Sequence, residues 1–144
     1  MNEEWKDEIG SFIVEFCEIE YVSYLLHEQL YPDDDPSHNF KERTKQVVSQ
    51  LNGKSKAKLK SYLEEAIELA ERRNTIVHNP MMVQIFENKK SGELYSETAI
   101  HSYKQRDYVS FDEMKRLNAQ IVRLKNDLVD EVGGHEALVK LTRR

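Results

Sequence analysis

The chain is poor in the residues that mark several common classes of protein. It has one cysteine, three prolines and five glycines among 144 residues. No apolar run approaches the roughly eighteen residues that a membrane span needs. A single cysteine excludes an intramolecular disulfide and fits a reducing compartment, and the charged first residues contain no hydrophobic signal segment. We therefore expect a cytoplasmic protein without a membrane partner, in which Cys17 is buried in an apolar-rich helix.

Charge is abundant, but it is unevenly placed. Charged residues make up 33% of the chain and apolar residues 39%, and the formal net charge is −5. That sum argues against a nucleic-acid contact along the whole sequence. One stretch is nevertheless basic, with cations at Lys41, Arg43, Lys45, Lys54, Lys56, Lys58 and Lys60. It is either a solvated lysine-rich surface or a local strip that follows a phosphate backbone.

Four segments have the three- and four-residue apolar spacing of amphipathic helices. They cover about 2–30, 40–51, 55–78 and 110–132, with Ser55 and Ser110 as expected N-caps. Pro80 should end the third helix near His78, because the residue before a proline is driven out of the helical region. Residues 135–141 have room for a further short helix after a Gly-Gly stop.

The segment between the third and fourth long helices has a different pattern. Met82–Phe86 and Leu94–Ile100 have strand character, and the residues between them favour a turn, which predicts a small β-hairpin or an extended loop. The predicted fold class is nevertheless all-α. We expect one domain over 1–144, an up-and-down bundle of four or five helices, with 81–109 as an insert.

The most informative stretch of the sequence is Arg73-Asn74-Thr75-Ile76-Val77-His78. Arginine supplies a permanent cation and a planar fork of donors that suits phosphate oxygens. Histidine exchanges a proton near neutral pH. A structural interpretation competes with the catalytic one. In it, Arg73 would form an ion pair with Glu71 or Glu20, and His78 would form a hydrogen bond with the backbone at the helix end.

Arg73 also lies on the apolar stripe of its helix, where a charge needs a physical reason. Residues five apart on a regular helix point about 140° apart, so Arg73 and His78 diverge, whereas Asn74 and His78 share a face. Either the last turn is distorted before Pro80, or the arginine of one subunit works beside the histidine of another. A twofold interface would also explain why the charged Arg73 lies on an apolar stripe.

The motif and its position resemble those of the HEPN superfamily. Members have an arginine, a polar residue and a histidine at the end of an inner helix of a compact bundle, the places that Arg73, Asn74 and His78 fill here. The resemblance implies a metal-independent endoribonuclease that needs no cofactor and acts on RNA as a homodimer. Such members are toxins with a cognate antitoxin, or abortive-infection and phage-defence effectors. Other members are non-catalytic modules for RNA binding or protein interaction.

The resemblance also implies roles for individual residues. His78 would take the proton of a ribose 2′-hydroxyl, Arg73 would neutralise charge on the phosphate, and Asn74 would orient His78 or donate to the phosphate. Glu20 on the first helix, or less closely Glu18 or Glu15, would be an acidic partner of the motif. RNA rather than DNA is then the substrate, because the 2′-hydroxyl is the nucleophile.

Four further residues are candidate RNA contacts. Arg72 adjoins the motif, Lys56 and Lys60 belong to the basic stretch, and Tyr103 is a candidate for stacking on bases. Surface or packing roles are the alternatives for all four. No spacing of histidine, cysteine and carboxylate residues forms a convincing metal site, and we expect none.

Overall fold

The computed structural model of the protein describes residues 3–102 and 107–134, without the side chains of Gln84 and Asp107. Four α-helices, one short 3-10 helix and three strands make up this part of the chain. In order they are α1 (Glu3–Leu30), α2 (Phe40–Ser49), the 3-10 helix (Lys54–Lys56), α3 (Ala57–His78), β1 (Met81–Glu87), β2 (Leu94–Ser102), β3 (Asp107–Ser110) and α4 (Phe111–Glu131). Tyr103 and the short helix expected at 135–141 lie outside the described residues.

The prediction of an all-α fold is wrong, because the chain combines its helices with an antiparallel sheet. The predicted hairpin is present as β1 and β2, which pair from Met81 opposite Ile100 to Glu87 opposite Leu94. β3 pairs with β2, so the described strands lie in the order β1-β2-β3. Ile100 and Val109 face each other across β2 and β3, and both are fully buried. The sheet therefore belongs to the same core as the helices, and the fold is mixed α/β.

The core is built around α1, which contacts α2, α3 and α4. Most of its apolar stripe is buried, and Phe12, Phe16 and Ile19 have no exposed surface. Packing of this stripe, rather than helix propensity, stabilises a helix of this length. The other helices supply further fully buried side chains, namely Val47, Leu63, Ala66, Met114, Ile121, Leu124 and Leu128. None of the described helices combines the length and the apolarity that crossing a membrane requires.

A second apolar stripe on α1 faces outward. Val14 is 61% exposed, Tyr21 46% and Tyr24 42%, and Cys17 lies exposed among them. Their steps of three and four residues keep these side chains on one face of the helix. The prediction that Cys17 is buried is wrong, because one position after the buried Phe16 the helix has turned by about 100°.

Capping residues and proline explain most of the helix ends described here. The Ser110 hydroxyl accepts a hydrogen bond of 3.1 Å from the amide of Glu113 and so caps α4, as predicted. α3 ends at His78, and Asn79 before the proline is extended. The prediction that Ser55 caps α3 is wrong. Ser55 lies inside the 3-10 helix that follows Gly53, whose φ is 86°, and α3 begins after Lys56 without a side-chain cap.

α1 and α4 are joined by an ion pair that is largely shielded from water. The Nζ atom of Lys125 lies 3.1 Å from a carboxylate oxygen of Glu15 and 3.7 Å from one of Glu18, and the lysine side chain is 16% exposed. Burial alone lowers the pKa of Lys125, but the hydrogen bonds and charges of Glu15 and Glu18 raise it above its ordinary value. Because the folded chain binds this proton more tightly, the pair stabilises the fold at neutral pH.

Replacing Lys125 with alanine should lower the free energy of unfolding by about 1–3 kcal/mol at neutral pH, because the two carboxylates lose their cation. The lysine charge contributes fully to stability below its unfolded-state pKa of about 10.4, and this contribution is lost as pH rises through the higher folded-state pKa. Urea unfolding should therefore give a smaller difference in the free energy of unfolding between Lys125→Ala and wild type above about pH 11 than at neutral pH.

The control is Lys115→Ala, in which the lysine is 52% exposed and pairs with an exposed Asp112. This change should alter stability by less than about 0.5 kcal/mol at either pH. A gap for Lys125→Ala that stays constant or widens with pH contradicts the electrostatic assignment.

Candidate active site

The last two turns of α3 present the motif residues. α3 remains helical through His78, and the side-chain amide of Asn79 donates a hydrogen bond of 2.9 Å to the carbonyl of Thr75. That bond satisfies one of the carbonyls that every helix end leaves open. The distortion of the last turn considered from the sequence is therefore absent, and the side chains of Arg73 and His78 leave a regular helix.

Arg73 is held by contacts within its own chain. Its Nη1 donates to the carboxylate of Glu20 on α1, and its Nη2 donates to the side-chain oxygen of Asn74 at 3.3 Å. The guanidinium carbon lies 4.6 Å from the centre of the Phe16 ring, within cation–π distance. These contacts explain a charge on the apolar stripe of α3. The pairing of Arg73 with Glu20, one of the structural interpretations of the sequence, is confirmed, so a twofold interface is not required to explain this charge.

Arg43 is a second arginine beside Glu20, more deeply buried than Arg73, and sequence reasoning missed its burial. It is 6% exposed, and it donates to the carbonyls of Ser37 at 2.9 Å and Glu20 at 3.4 Å. Burial lowers the pKa of Arg43, the charge of Glu20 opposes that change, and the charge of Arg73 adds to it. The apolar spacing of the sequence could have identified Arg43 as a buried residue. Arg43 lies three residues after Phe40 and four before Val47, both of which are buried, so apolar spacing places it on the buried face of α2.

A polar cleft of about 270 Å³ opens beside the Glu20–Arg73 pair. Arg73 and Asn74 line it from α3, Glu20 lines it from α1, and residues at the start of α2 line the opposite side. The cleft thus brings together three of the four residues that the resemblance assigns to catalysis.

His78 lies apart from this cluster. It is exposed, as Asn74 is, and no described residue forms a hydrogen bond with its ring. Helix geometry separates Arg73 and His78 by about 7.5 Å along the axis and about 140° around it. One copy of the chain therefore does not direct its arginine and its histidine at the same point.

The candidate RNA contacts are dispersed. Arg72 forms an ion pair with Glu113 at the start of α4, so it ties α3 to α4. Lys56 and Lys60 are exposed at the other end of α3, about 25 and 20 Å from Arg73 along the axis. Glu15 and Glu18 bind Lys125 and not Arg73, which leaves Glu20 as the acidic residue beside the motif.

The described residues indicate no metal site, and comparison with known proteins indicates no family. Over residues 3–102 and 107–134, no three histidine, cysteine or acidic side chains are grouped to hold a metal ion. Comparison with protein-family models, with curated proteins and with solved structures gives no match. The resemblance to HEPN domains therefore rests on the motif residues and their position at the end of a helix.

The Glu20–Arg73 pair should couple α1 to α3 energetically. A double-mutant cycle with Glu20→Gln and Arg73→Met should give an interaction energy of about 0.5–3 kcal/mol in urea unfolding, since the side chains are 34% and 23% exposed and in contact. The exposed pair of Lys6 and Glu3 is the control cycle and should give less than about 0.5 kcal/mol. Additive effects at Glu20 and Arg73 would show that the pair does not join the helices.

Proposed function

We propose that the protein is a metal-independent endoribonuclease that acts as a homodimer. The observation on which the proposal rests is the Glu20–Arg73–Asn74 chain of contacts at a polar cleft, with His78 exposed on the same helix end. An acidic residue fixes the guanidinium, so its remaining donors point in a defined direction. The imidazole stays open to a substrate. These are the parts that the resemblance to HEPN domains requires.

The proposed reaction needs only groups of the protein and the RNA. His78 accepts the proton of a ribose 2′-hydroxyl, and the oxygen attacks the adjacent phosphorus while the bond to the 5′-oxygen breaks. The leaving oxygen takes a proton from solvent, and the products are a 2′,3′-cyclic phosphate and a 5′-hydroxyl. The general base contributes about a hundred- to ten-thousandfold. Arg73 offsets charge on the non-bridging oxygens and contributes roughly a further hundred- to thousandfold.

A second copy of the chain supplies what one copy lacks. Because Arg73 and His78 diverge on α3, the arginine of one subunit is proposed to serve the histidine of the other across a twofold axis. Exposed apolar side chains on both α3 and α1 support such an interface. Val77 on α3 is 50% exposed beside His78, and α1 presents the outward stripe of Val14, Cys17, Tyr21 and Tyr24.

The histidine test uses labelled RNA in EDTA. His78→Ala should cleave at least about a hundredfold more slowly than wild type while it keeps the wild-type circular dichroism spectrum and oligomeric state. Glu64→Ala, an exposed change on the same helix, should retain the wild-type rate. RNA with 2′-O-methyl groups should not be cut by wild type. Equal rates for His78→Ala and wild type would contradict the proposed chemistry.

A mixing experiment tests whether the site is shared between subunits. Arg73→Ala and His78→Ala homodimers should each be inactive, but after subunit exchange the mixture should regain about a quarter of wild-type activity. Half of the dimers are then mixed, and each mixed dimer has one intact site of two. A mixture that stays inactive, although mixed dimers are detected, shows that arginine and histidine act within one chain.

One observation favours a second candidate function, a non-catalytic module that binds RNA or another protein. Arg73 is already engaged by Glu20 and Phe16, which is a sufficient structural role for the residue. In that case wild type binds RNA without cutting it, and His78→Ala binds equally well. If the enzyme proposal holds, a cytoplasmic toxin or phage-defence effector restrained by an antitoxin is the biological role that the resemblance supports.

A further inference from the structure

The outward stripe of α1 continues beyond Val14 and Tyr24. Gly10 lies four residues before Val14, and Lys6 lies four before Gly10. At the other end, Glu28 lies four residues after Tyr24. These steps keep all of the residues on one face of the helix. The extended face therefore has a lysine at one end, a glutamate at the other, and a glycine among its apolar side chains.

Glycine at position 10 is explained neither by the backbone nor by packing within the chain. Gly10 lies inside α1, where glycine weakens a helix relative to alanine, and it is not one of the glycines with positive φ. It is exposed, and apart from nearby backbone of α1 no atom of the described residues lies within 4 Å of a side chain added there. The missing side chain instead lets a second surface approach the helix closely.

Side-chain sizes along this face are self-complementary about Cys17. Gly10 lies seven residues before Cys17, and Tyr24 lies seven after it. Val14 lies three before Cys17, and Tyr21 lies four after it. If two such faces pack antiparallel with Cys17 at the centre, each tyrosine of one copy lies opposite a smaller residue of the other. A parallel arrangement would place tyrosine against tyrosine and leave a gap at the glycine.

The charges at the two ends match in the same arrangement. Lys6 lies eleven residues before Cys17, and Glu28 lies eleven after it, so antiparallel packing places each lysine beside the glutamate of the other copy. Lys6 is 3.3 Å from Glu3, but these side chains are 53% and 81% exposed, so the pair is weak and the ammonium can bind another carboxylate. Glu28 forms no ion pair with a described residue. A parallel arrangement would bring like charges together, which is unfavourable.

We propose that α1 packs antiparallel on α1 of a second copy, about a twofold axis that passes beside Cys17. The inference deepens the proposed function: its role in cleavage rests on that function, whereas the contact itself rests on α1. The axis is perpendicular to both helices, so the same side of each helix faces the same surface of the dimer. Phe16, on which Arg73 packs, adjoins Cys17. The two Glu20–Arg73 pairs therefore lie near the axis, on one surface of the dimer.

Crosslinking tests the direction and the register of the two helices. Cys17 is the only cysteine of the chain, so a short bismaleimide should convert wild type to covalent dimers. Cys17→Ser with Glu28→Cys should give none, because the two thiols are then about 33 Å apart along antiparallel helices. Adding Lys6→Cys to that variant should restore the crosslink. Crosslinking through Glu28→Cys alone, or none of wild type, overturns the inference.

A substitution at Gly10 separates the contact from the fold. Gly10→Leu should keep the wild-type circular dichroism spectrum but raise the dissociation constant of the dimer at least about tenfold, since the new side chain overlaps the partner subunit's Tyr24. Ser11→Leu is the matched control. Ser11 is also exposed but points about 100° away around the helix, so this variant should dimerise as wild type does. A Gly10→Leu variant that keeps the wild-type dissociation constant contradicts the antiparallel contact.

Charge reversal tests the ends of the same face. Lys6→Glu should raise the dissociation constant of the dimer about threefold to tenfold, because both exposed ion pairs become repulsive. Lys6→Glu combined with Glu28→Lys should restore the wild-type constant, since the pairs are then reversed but complementary. A double variant that dimerises more weakly than Lys6→Glu alone shows that these residues do not face each other.

Two outcomes separate this inference from the proposed function. If wild type cleaves RNA but its Cys17 thiols do not crosslink, the α1 contact is wrong and the nuclease stands. If crosslinking and the Gly10→Leu result are as expected but RNA is never cut, the contact stands and the nuclease is wrong.

Discussion

The contact between Arg73 and Glu20 is the interaction on which the candidate site depends. It joins α1 to α3 across 53 residues of sequence, and it fixes a guanidinium over the ring of Phe16 at the edge of the core. A permanent cation in this position is tolerated because its charge is offset and its flat face packs on an aromatic ring. The same contact orients the arginine toward the cleft. Stability and function are thus proposed to share one pair of side chains.

Arg43 extends this arrangement to α2. Two guanidinium groups flank the Glu20 segment of α1, one bonded to the carboxylate and the other to the backbone carbonyl. Arg43 is buried and Arg73 is partly buried, so the three helices meet around a small charged cluster rather than a purely apolar contact. Clusters of this kind are costly to bury without full pairing.

The sequence predicts the helices well because their periodicity is strong. The buried faces of α1 and α4 and the end of α3 before Pro80 follow directly from apolar spacing and proline chemistry. β3 could not be foreseen, because Asp107–Ser110 is too short to show alternation. The error in fold class follows from treating the hairpin as an insert, when Ile100 and Val109 complete the core.

The site was foreseeable only in part. Arg73, Asn74 and His78 stand together in the sequence, but periodicity alone does not reveal that Glu20, and not Glu71, is the partner of Arg73. Arg43 belongs to a basic stretch whose composition is typical of a solvated surface. Its position between the apolar Phe40 and Val47 nevertheless indicates that it is buried. Distant pairings of this kind depend on how helices pack, and a single sequence records them only weakly.

We propose that two copies of the chain meet through the end of α3. The most direct test is the mass in solution of wild type and of Val77→Asp, which places a charge beside His78 on the proposed interface. Wild type should sediment at twice the chain mass of 17.0 kDa and Val77→Asp at the chain mass itself. A wild-type protein that stays at 17.0 kDa, or a Val77→Asp variant that remains fully dimeric, would contradict a dimer formed through the end of α3.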